Sequence, residues 1–318
     1  MDDALYGADG FYRTDGSAGR RGHFLTSPEV GPLFGAVVAN FLDTEWRRLG
    51  RPDPFTVVDA GAGPGTLARS VAAAAPDCGP ALRYVAVELS ERQRSSHPDG
   101  IESRPGLPTT PIDGVIIANE LLDNIPFRLA VFDGGWREAF VRSEPDGPSV
   151  EQLGPELTPH PAVLPRRAML GARAPIVDRA AAWVADALTQ LRVGTLLVID
   201  YCVPTTAELV ERPWRDWLRT YRGPERGAHY LADRGRQDIT TDVPIDQLPT
   251  PDRSTGQASW LREHGLDALV EEGRRRWSDG AALGGLDALR MRSRVSEAEA
   301  LTERGGLGDF RVLEWRVA

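Results

Sequence analysis

Two spacings of apolar residues alternate along the chain. Short runs rich in β-branched residues, Phe55 to Val58, Tyr84 to Leu89, Gly114 to Ala118 and Gly194 to Tyr201, are too brief for helices and read as buried parallel strands. Between them the period lengthens. Leu33, Val37, Val38, Phe41, Leu42 and Trp46 recur at helical spacing. They predict a helix from Glu29 to about Leu49, with Ser27 as N-cap and Pro28 at N1. Leu67 to Ala75 is alanine-rich and predicts a helix that opens near Thr66 and stops before Pro76. Further helices are expected over Ala174 to Leu191, Thr255 to His264, Leu266 to Trp277 and Ser296 to Thr302. Phe127 to Phe132 and Trp136 to Arg142 alternate around Asp133-Gly134-Gly135, a hairpin signal. Ser90 to Pro111 is polar and proline-rich, with an abbreviated third strand around Ile101. Residues 143–172 read as a proline-rich loop, and Phe310 to Val317 as a last strand at a sheet edge. Strands alternating with helices define an α/β fold around a parallel sheet.

The chain is organised around Phe55-Thr56-Val57-Val58-Asp59-Ala60-Gly61-Ala62-Gly63-Pro64-Gly65-Thr66. A strand must turn sharply into a helix here. Glycine permits positive φ and lets a ligand approach the backbone without meeting a Cβ. The helix start adds unpaired N–H groups and partial positive charge. A phosphate-loop NTPase needs Gly-Lys-Ser/Thr, and the chain contains no lysine. A dinucleotide fold wants G-x-G-x-x-G, but Thr66 stands at the third glycine position. The spacing G-x-G-x-G after an acid resembles motif I of class I S-adenosylmethionine (SAM) methyltransferases, in which Asp59 would meet the ligand's ammonium directly or through water. A turn that only packs strand on helix is the alternative. Glu88 ends the second strand 23 residues after Gly65, the place of an acid that takes ribose hydroxyls in doubly wound sheets; a solvent-facing strand end is the bland reading.

Composition narrows the partners. At 318 residues, with 41% hydrophobic and 26% charged residues, the chain is expected to fold as a soluble globule of one large domain with insertions, or two domains. The net charge of −9 argues against nucleic acid and is compatible with a cationic substrate. Cys78 and Cys202 give no disulfide framework, and the five histidines have no ligand spacing, so no metal site is expected. No 18-residue apolar run marks a membrane span, and the acidic Met1-Asp2-Asp3 start has no signal-peptide character; a cytoplasmic location is the expectation.

Six blocks, in order, resemble the MidA family of SAM-dependent methyltransferases, which includes a mitochondrial arginine methyltransferase that assists assembly of respiratory complex I. Gly22-His23-Phe24-Leu25-Thr26-Ser27-Pro28-Glu29 with Phe34-Gly35 is similar to the family's G-D-F-x-T-S-P-E…F-G, and Gly61 to Leu67 to its G-x-G-x-G-T-L. Ala118-Asn119-Glu120-Leu121-Leu122-Asp123 with Pro126 resembles A-N-E-x-x-D-A-x-P. Asp200-Tyr201, Asp238-Ile239-Thr240 and Gly306 to Leu313 resemble D-Y-G, D-I-T and G-L-G-x-F-x-V-L. The departures are His23 for Asp, Cys202 for Gly, Asn124 for Ala and Pro224 for His, the last within residues 203–237, an Arg- and Trp-rich run expected to be either a lid or substrate-facing insertion or a surface helix packed by its indoles.

The resemblance implies a Rossmann-like class I methyltransferase sheet with an N-terminal helical arm and helical insertions. Residues 1–54 are then the arm and helix, and 55–318 the SAM-dependent methyltransferase domain, with insertions around 127–190 and 203–295. It implies SAM as cofactor, held by Thr26, Asp59, Gly61, Gly63, Gly65, Glu88 and Asn119, with Asn119 open to either cofactor or acceptor. Glu120 and Asp123, three residues apart at a strand end, are the catalytic candidates: carboxylates bind the fork of a guanidinium and localise its charge. Asp123 merely capping the following turn is the competing reading. The implied reaction is arginine N-methylation of a partner protein. A SAM-binding assembly factor without catalysis and a small-molecule methyltransferase are the alternatives, and a homodimer is left open.

Overall fold

The structure, a computed structural model, describes residues 1–14, 26–142, 149–223, 225–280 and 286–318. His23, at the first departure from the family pattern, and Pro224, at the last, lie outside the described residues. The chain divides into two compact units, each assembled from three segments. One comprises Met1–Phe24, Glu120–Asp186 and Asp200–Pro251; the other comprises Leu25–Asn119, Ala187–Ile199 and Asp252–Ala318.

The second of these units is built on a seven-stranded sheet. Its strands are β1 (Phe55–Ala60), β2 (Leu82–Val87), β3 (Glu102–Arg104), β4 (Ile112–Asn119), β5 (Leu191–Asp200, whose last residue belongs to the other unit), β6 (Arg253–Gly256) and β7 (Arg311–Val317). The spatial order is β6-β7-β5-β4-β1-β2-β3. β1 runs parallel to β2 and to β4, so the order reverses at β1, the switch point where open α/β sheets bind ligands beyond their strand ends. All six β1 residues are buried, as a strand covered on both faces requires. β3 falls where the sequence places its abbreviated third strand. β7 is not an edge: β6 pairs with it antiparallel, and that four-residue strand is too short to carry a pattern of its own.

The N-terminal helix is interrupted. Ser27–Val30 and Pro32–Arg48 are separate helices, because Gly31 is extended at φ 166° and Pro32 begins the second. Thr26, not Ser27, is the N-cap residue. Gly35 has a packing reason: a Cβ there would lie 2.2 Å from Ser70 Cβ on the Thr66–Ala73 helix, so the two helices cross in contact. The predicted Thr255–His264 helix begins two residues late, at Gln257, because Thr255 and Gly256 are spent in β6.

The other unit holds two antiparallel sheets. One has the order Val150–Glu156, Trp136–Arg142, Arg128–Phe132, Arg173–Ile176. The predicted hairpin is its centre, with Phe132 opposite Trp136. Its flanking strands fall in the stretch read as loop and at the start of the predicted Ala174 helix, which begins at Asp178. Pro155 and Pro175 mask them: outer strands tolerate a missing N–H, so proline does not exclude pairing there. The second sheet has the order Glu225–Arg226, Leu218–Arg222, Asp238–Thr241. The Arg- and Trp-rich run is therefore a four-residue helix, Trp214–Trp217, leading straight into a strand, with Trp217 fully buried.

Candidate active site

The glycine turn follows β1 directly. Gly61, Gly63 and Gly65 all have positive φ, at 73°, 53° and 79°. The Gly61 and Ala62 N–H groups donate to the Val87 carbonyl at 2.9 and 3.0 Å, pinning the turn to the end of β2. Gly65 is the left-handed N-cap residue of the Thr66–Ala73 helix. The Glu88 carboxylate, just past β2, accepts from Gly63 N–H at 3.1 Å and Ser90 N–H at 2.8 Å. Two amides thus fix an anion whose remaining lone pairs can take the hydroxyls of a ribose.

Three residues that sequence reasoning passed over close around this turn. His97 Nε2 donates to the Gly63 carbonyl at 2.9 Å, which leaves Nδ1 toward Ser103 Oγ at 2.8 Å. A Cβ on Gly65 would meet Pro98 Cδ at 3.0 Å, and one on Gly63 would meet Gln93 Oε1 at 3.2 Å. Glu29, from the arm motif, accepts from Thr66 Oγ1 at 2.5 Å at the helix start. Thr26, buried beside it in sequence, makes no side-chain cap bond. The motif block containing Glu29 marked this residue, but only the fold brings it to the glycines.

Asp59 lies at the end of β1, 3% exposed, and accepts from the Tyr84 hydroxyl at 2.9 Å. Burial, with a contribution from the charge on Glu88, pushes its carboxyl up to about 7, against the Tyr84 hydrogen bond. The folded chain holds this proton up to about pH 7, whereas the unfolded chain gives it up near the ordinary 3.8, so stability falls as pH rises between the two values. Asp59→Asn, without SAM, should match wild type in stability below pH 4 and exceed it at pH 8 by on the order of a few kcal/mol, read out as a higher melting temperature. Equal melting temperatures at both pH values would show that the Asp59 carboxyl does not hold its proton on folding.

The acids lie in the other unit, one residue further along the chain from Asn119, the half-buried last residue of β4. Glu120 has φ 51°, a left-handed conformation uncommon for a non-glycine residue and shared here with Arg51, Ala75 and Asp233 among the described residues. Asp123 is buried in the Leu122–Asn124 turn. It accepts from Thr240 Oγ1 at 2.8 Å and Asn124 Nδ2 at 3.0 Å. Burial pushes its carboxyl up to about 6, opposed by the Thr240 hydrogen bond and the Arg219 charge. The turn itself is held by Asp200, which accepts from Leu122 N–H at 2.8 Å, Asp123 N–H at 3.3 Å and Tyr201 N–H at 2.8 Å. Asp200 is fully buried, and burial next to Asp123 raises its carboxyl well above the carboxylate range. Asp238 accepts from Tyr12 Oη at 3.0 Å and is pushed by burial to about 7. The Asp-Tyr and Asp-Ile-Thr blocks are therefore support for Asp123, through Asp200 below it and Thr240 beside it. Asp242, four residues after Asp238, pairs with Arg219 at 2.7 Å and Arg212 at 3.1 Å.

A sheet reversing at β1, a glycine turn and an acid at the end of β2 define a nucleotide-type cofactor fold of the SAM-dependent methyltransferase class. The model of the Methyltransf_28 family, S-adenosyl-L-methionine-dependent methyltransferases, matches residues 37–261, and the chain belongs to that family. The fold agrees with a COG1565 superfamily member from Burkholderia thailandensis solved bound to S-adenosyl-homocysteine. The TM-score is 0.82 at 24% identity, over 100% of this chain and 86% of that one. The chain is also 48% identical over 62 residues to the Drosophila melanogaster "Protein arginine methyltransferase NDUFAF7 homolog, mitochondrial", covering 20% of this chain and 14% of the fly protein. To the rat protein arginine methyltransferase NDUFAF7 it is 26% identical over 196 residues, half of this chain and 45% of the relative. The matches thus span less than half the length of these relatives.

The residues present fit SAM. The anchored Glu88 carboxylate would suit the ribose diol and the three glycines would suit close approach of the methionine part, whereas Asp59 is 3% exposed and its carboxyl is already engaged by Tyr84. SAM supplies an electrophilic methyl group on a sulfonium.

Proposed function

We propose that this methyltransferase methylates an arginine side chain of a partner protein. The observation that carries the reading is the cluster of carboxylates around Asp123, with a strained Glu120 at its head. The fly and rat relatives, both named protein arginine methyltransferases, support the same reading. A guanidinium is a weak nucleophile until its charge is localised on one nitrogen and a proton is lost. Glu120 grips the guanidinium fork and accepts the proton released as the N–CH₃ bond forms and the S–CH₃ bond breaks. Asp123, fixed by Thr240, Asn124 and the turn on Asp200, orients Glu120 and the acceptor. Because transfer is an in-line displacement to a neutral leaving group, alignment is the enzyme's main contribution.

The test is incubation with methyl-labelled SAM and cell lysate, followed by acid hydrolysis of the labelled protein. Label is expected in methylarginine. Label confined to another amino acid, or to low-mass material, ends the arginine reading. One observation favours the low-mass outcome as a second reading: the unit bearing the acids also contains a cavity of about 450 Å³, with Phe127, Leu129, Ala139, Leu218 and Ile239 among its apolar lining. That is within the range of small-molecule sites.

A further inference from the structure

Arg219 is a cation set among acids. Its side chain is 12% exposed, and its Nη2 lies 2.7 Å from Asp242 Oδ1. Its Cζ sits 4.8 Å from the centre of the Tyr201 ring, and Asp123 adds to the charge that acts on it. A carboxylate close to the guanidinium and an aromatic face against it are two elements that recognise arginine.

The chain's own residue uses this setting incompletely. Nη1 donates to the Asp216 carbonyl at 3.2 Å, but Nε is buried and makes no hydrogen bond among the described residues. Contrast Arg173, as buried in the same unit: both of its terminal nitrogens reach Glu151, at 2.6 and 2.8 Å. Contrast also Arg48, which forks onto Glu45 through Nε and Nη2 at 3.1 and 2.7 Å. Both of these arginines make the fork. At Arg219 the chain makes one ion pair, with a carboxylate that also serves Arg212. A buried guanidinium with unused donors is held less firmly than its burial suggests.

We propose that the space between Asp242 and the Tyr201 ring is a guanidinium slot in which Arg219 is a displaceable stand-in, and that an acceptor arginine competes with Arg219 for it. This deepens the arginine reading given above and rests on it. Arg219 thereby sets specificity: only an acceptor held also by contacts outside the slot displaces it, so free arginine is a poor substrate and arginine within a docked protein a good one.

The experiment is Arg219→Ala titrated with methylguanidinium chloride, followed by calorimetry and by melting temperature, against sodium chloride at equal concentration. The variant is expected to bind methylguanidinium at least about tenfold more tightly than wild type, as the loss of a partly buried ion pair and a cation–π contact implies. Its lowered melting temperature should climb back as the slot fills. Arg219→Lys, which keeps the charge but not the planar fork, should bind no better than wild type. Equal binding to Arg219→Ala and wild type overturns the slot. If Arg219→Ala is recovered only from inclusion bodies, methylguanidinium in the refolding buffer should restore soluble protein, and failure to do so also overturns it. Wild-type transfer to arginine is scored separately: guanidinium binding to the variant without arginine methylation removes the acceptor reading and leaves the slot, whereas arginine methylation without that binding removes Arg219's role alone.

Discussion

Glu120→Gln is expected to abolish methyl transfer while SAM still binds. The substitution keeps the size and one acceptor oxygen but removes the charge that localises a guanidinium and the base that takes its proton. Loss of a positioned base costs on the order of 10²–10⁴-fold in turnover. If Glu88 and the glycine turn hold SAM, as the sequence leads one to expect, Glu120 is no part of that hold and calorimetric SAM affinity should stay within a few-fold of wild type. The left-handed backbone at Glu120 supplies a second arm. A residue with a Cβ pays about 1 kcal/mol at φ 51° relative to glycine. Glu120→Gly should therefore be as stable as wild type or more so, by about that amount, and equally inactive. Undiminished turnover in Glu120→Gln would strip Glu120 of its role. A large drop in SAM affinity would move it to the cofactor side of the chemistry.

Gly114→Ala should leave little folded protein. Gly114 sits inside β4 at φ 151°, and a Cβ there would lie 1.9 Å from the Thr56 carbonyl oxygen of β1. Its other neighbour, Gly194 in β5, has φ 143°, and a Cβ there would lie 1.8 Å from the Gly114 carbonyl oxygen. Thr56, Gly114 and Gly194 are paired in register, one row across three central strands. The colliding atoms are backbone, so no side chain can turn aside; the strands must part, at a cost expected above about 4 kcal/mol. Urea unfolding of Gly194→Ala should give a loss of similar size. Gly134→Ala, at φ 74° in the hairpin turn with open space around it, should lose only about 1 kcal/mol. A Gly114→Ala protein as stable as Gly134→Ala would contradict the packed row.

Much of the cofactor half was legible because it is local. Strand β1, the glycine turn, the Thr66–Ala73 helix and the acid after β2 are consecutive, and each depends on residue type at short range. Asp200 and Asp238 were visible only as motif residues, without a task. Their tasks, holding the Asp123 turn and receiving Tyr12, join positions 77 and 226 apart, and no period or propensity encodes such a pair. His97 over Gly63 carried no signal at all, since one histidine in a polar stretch is unremarkable until the chain folds it back on the turn. The strands at Val150–Glu156 and Arg173–Ile176 were hidden by their prolines, because pairing at the outside of a sheet is decided by the neighbour and not by the segment.

By itself, then, the order of residues determined an α/β sheet, a glycine turn at the end of its first strand and a pair of acids after its fourth. Only the tertiary structure decided which acids are buried, with their carboxyls pushed upward, that Glu120 is held in a left-handed conformation, and that Arg219 stands between Asp242 and Tyr201. The physical reason is range. Backbone geometry and hydrophobic period act over a few residues, whereas desolvation and charge act through space, on whatever the fold brings within a few ångströms.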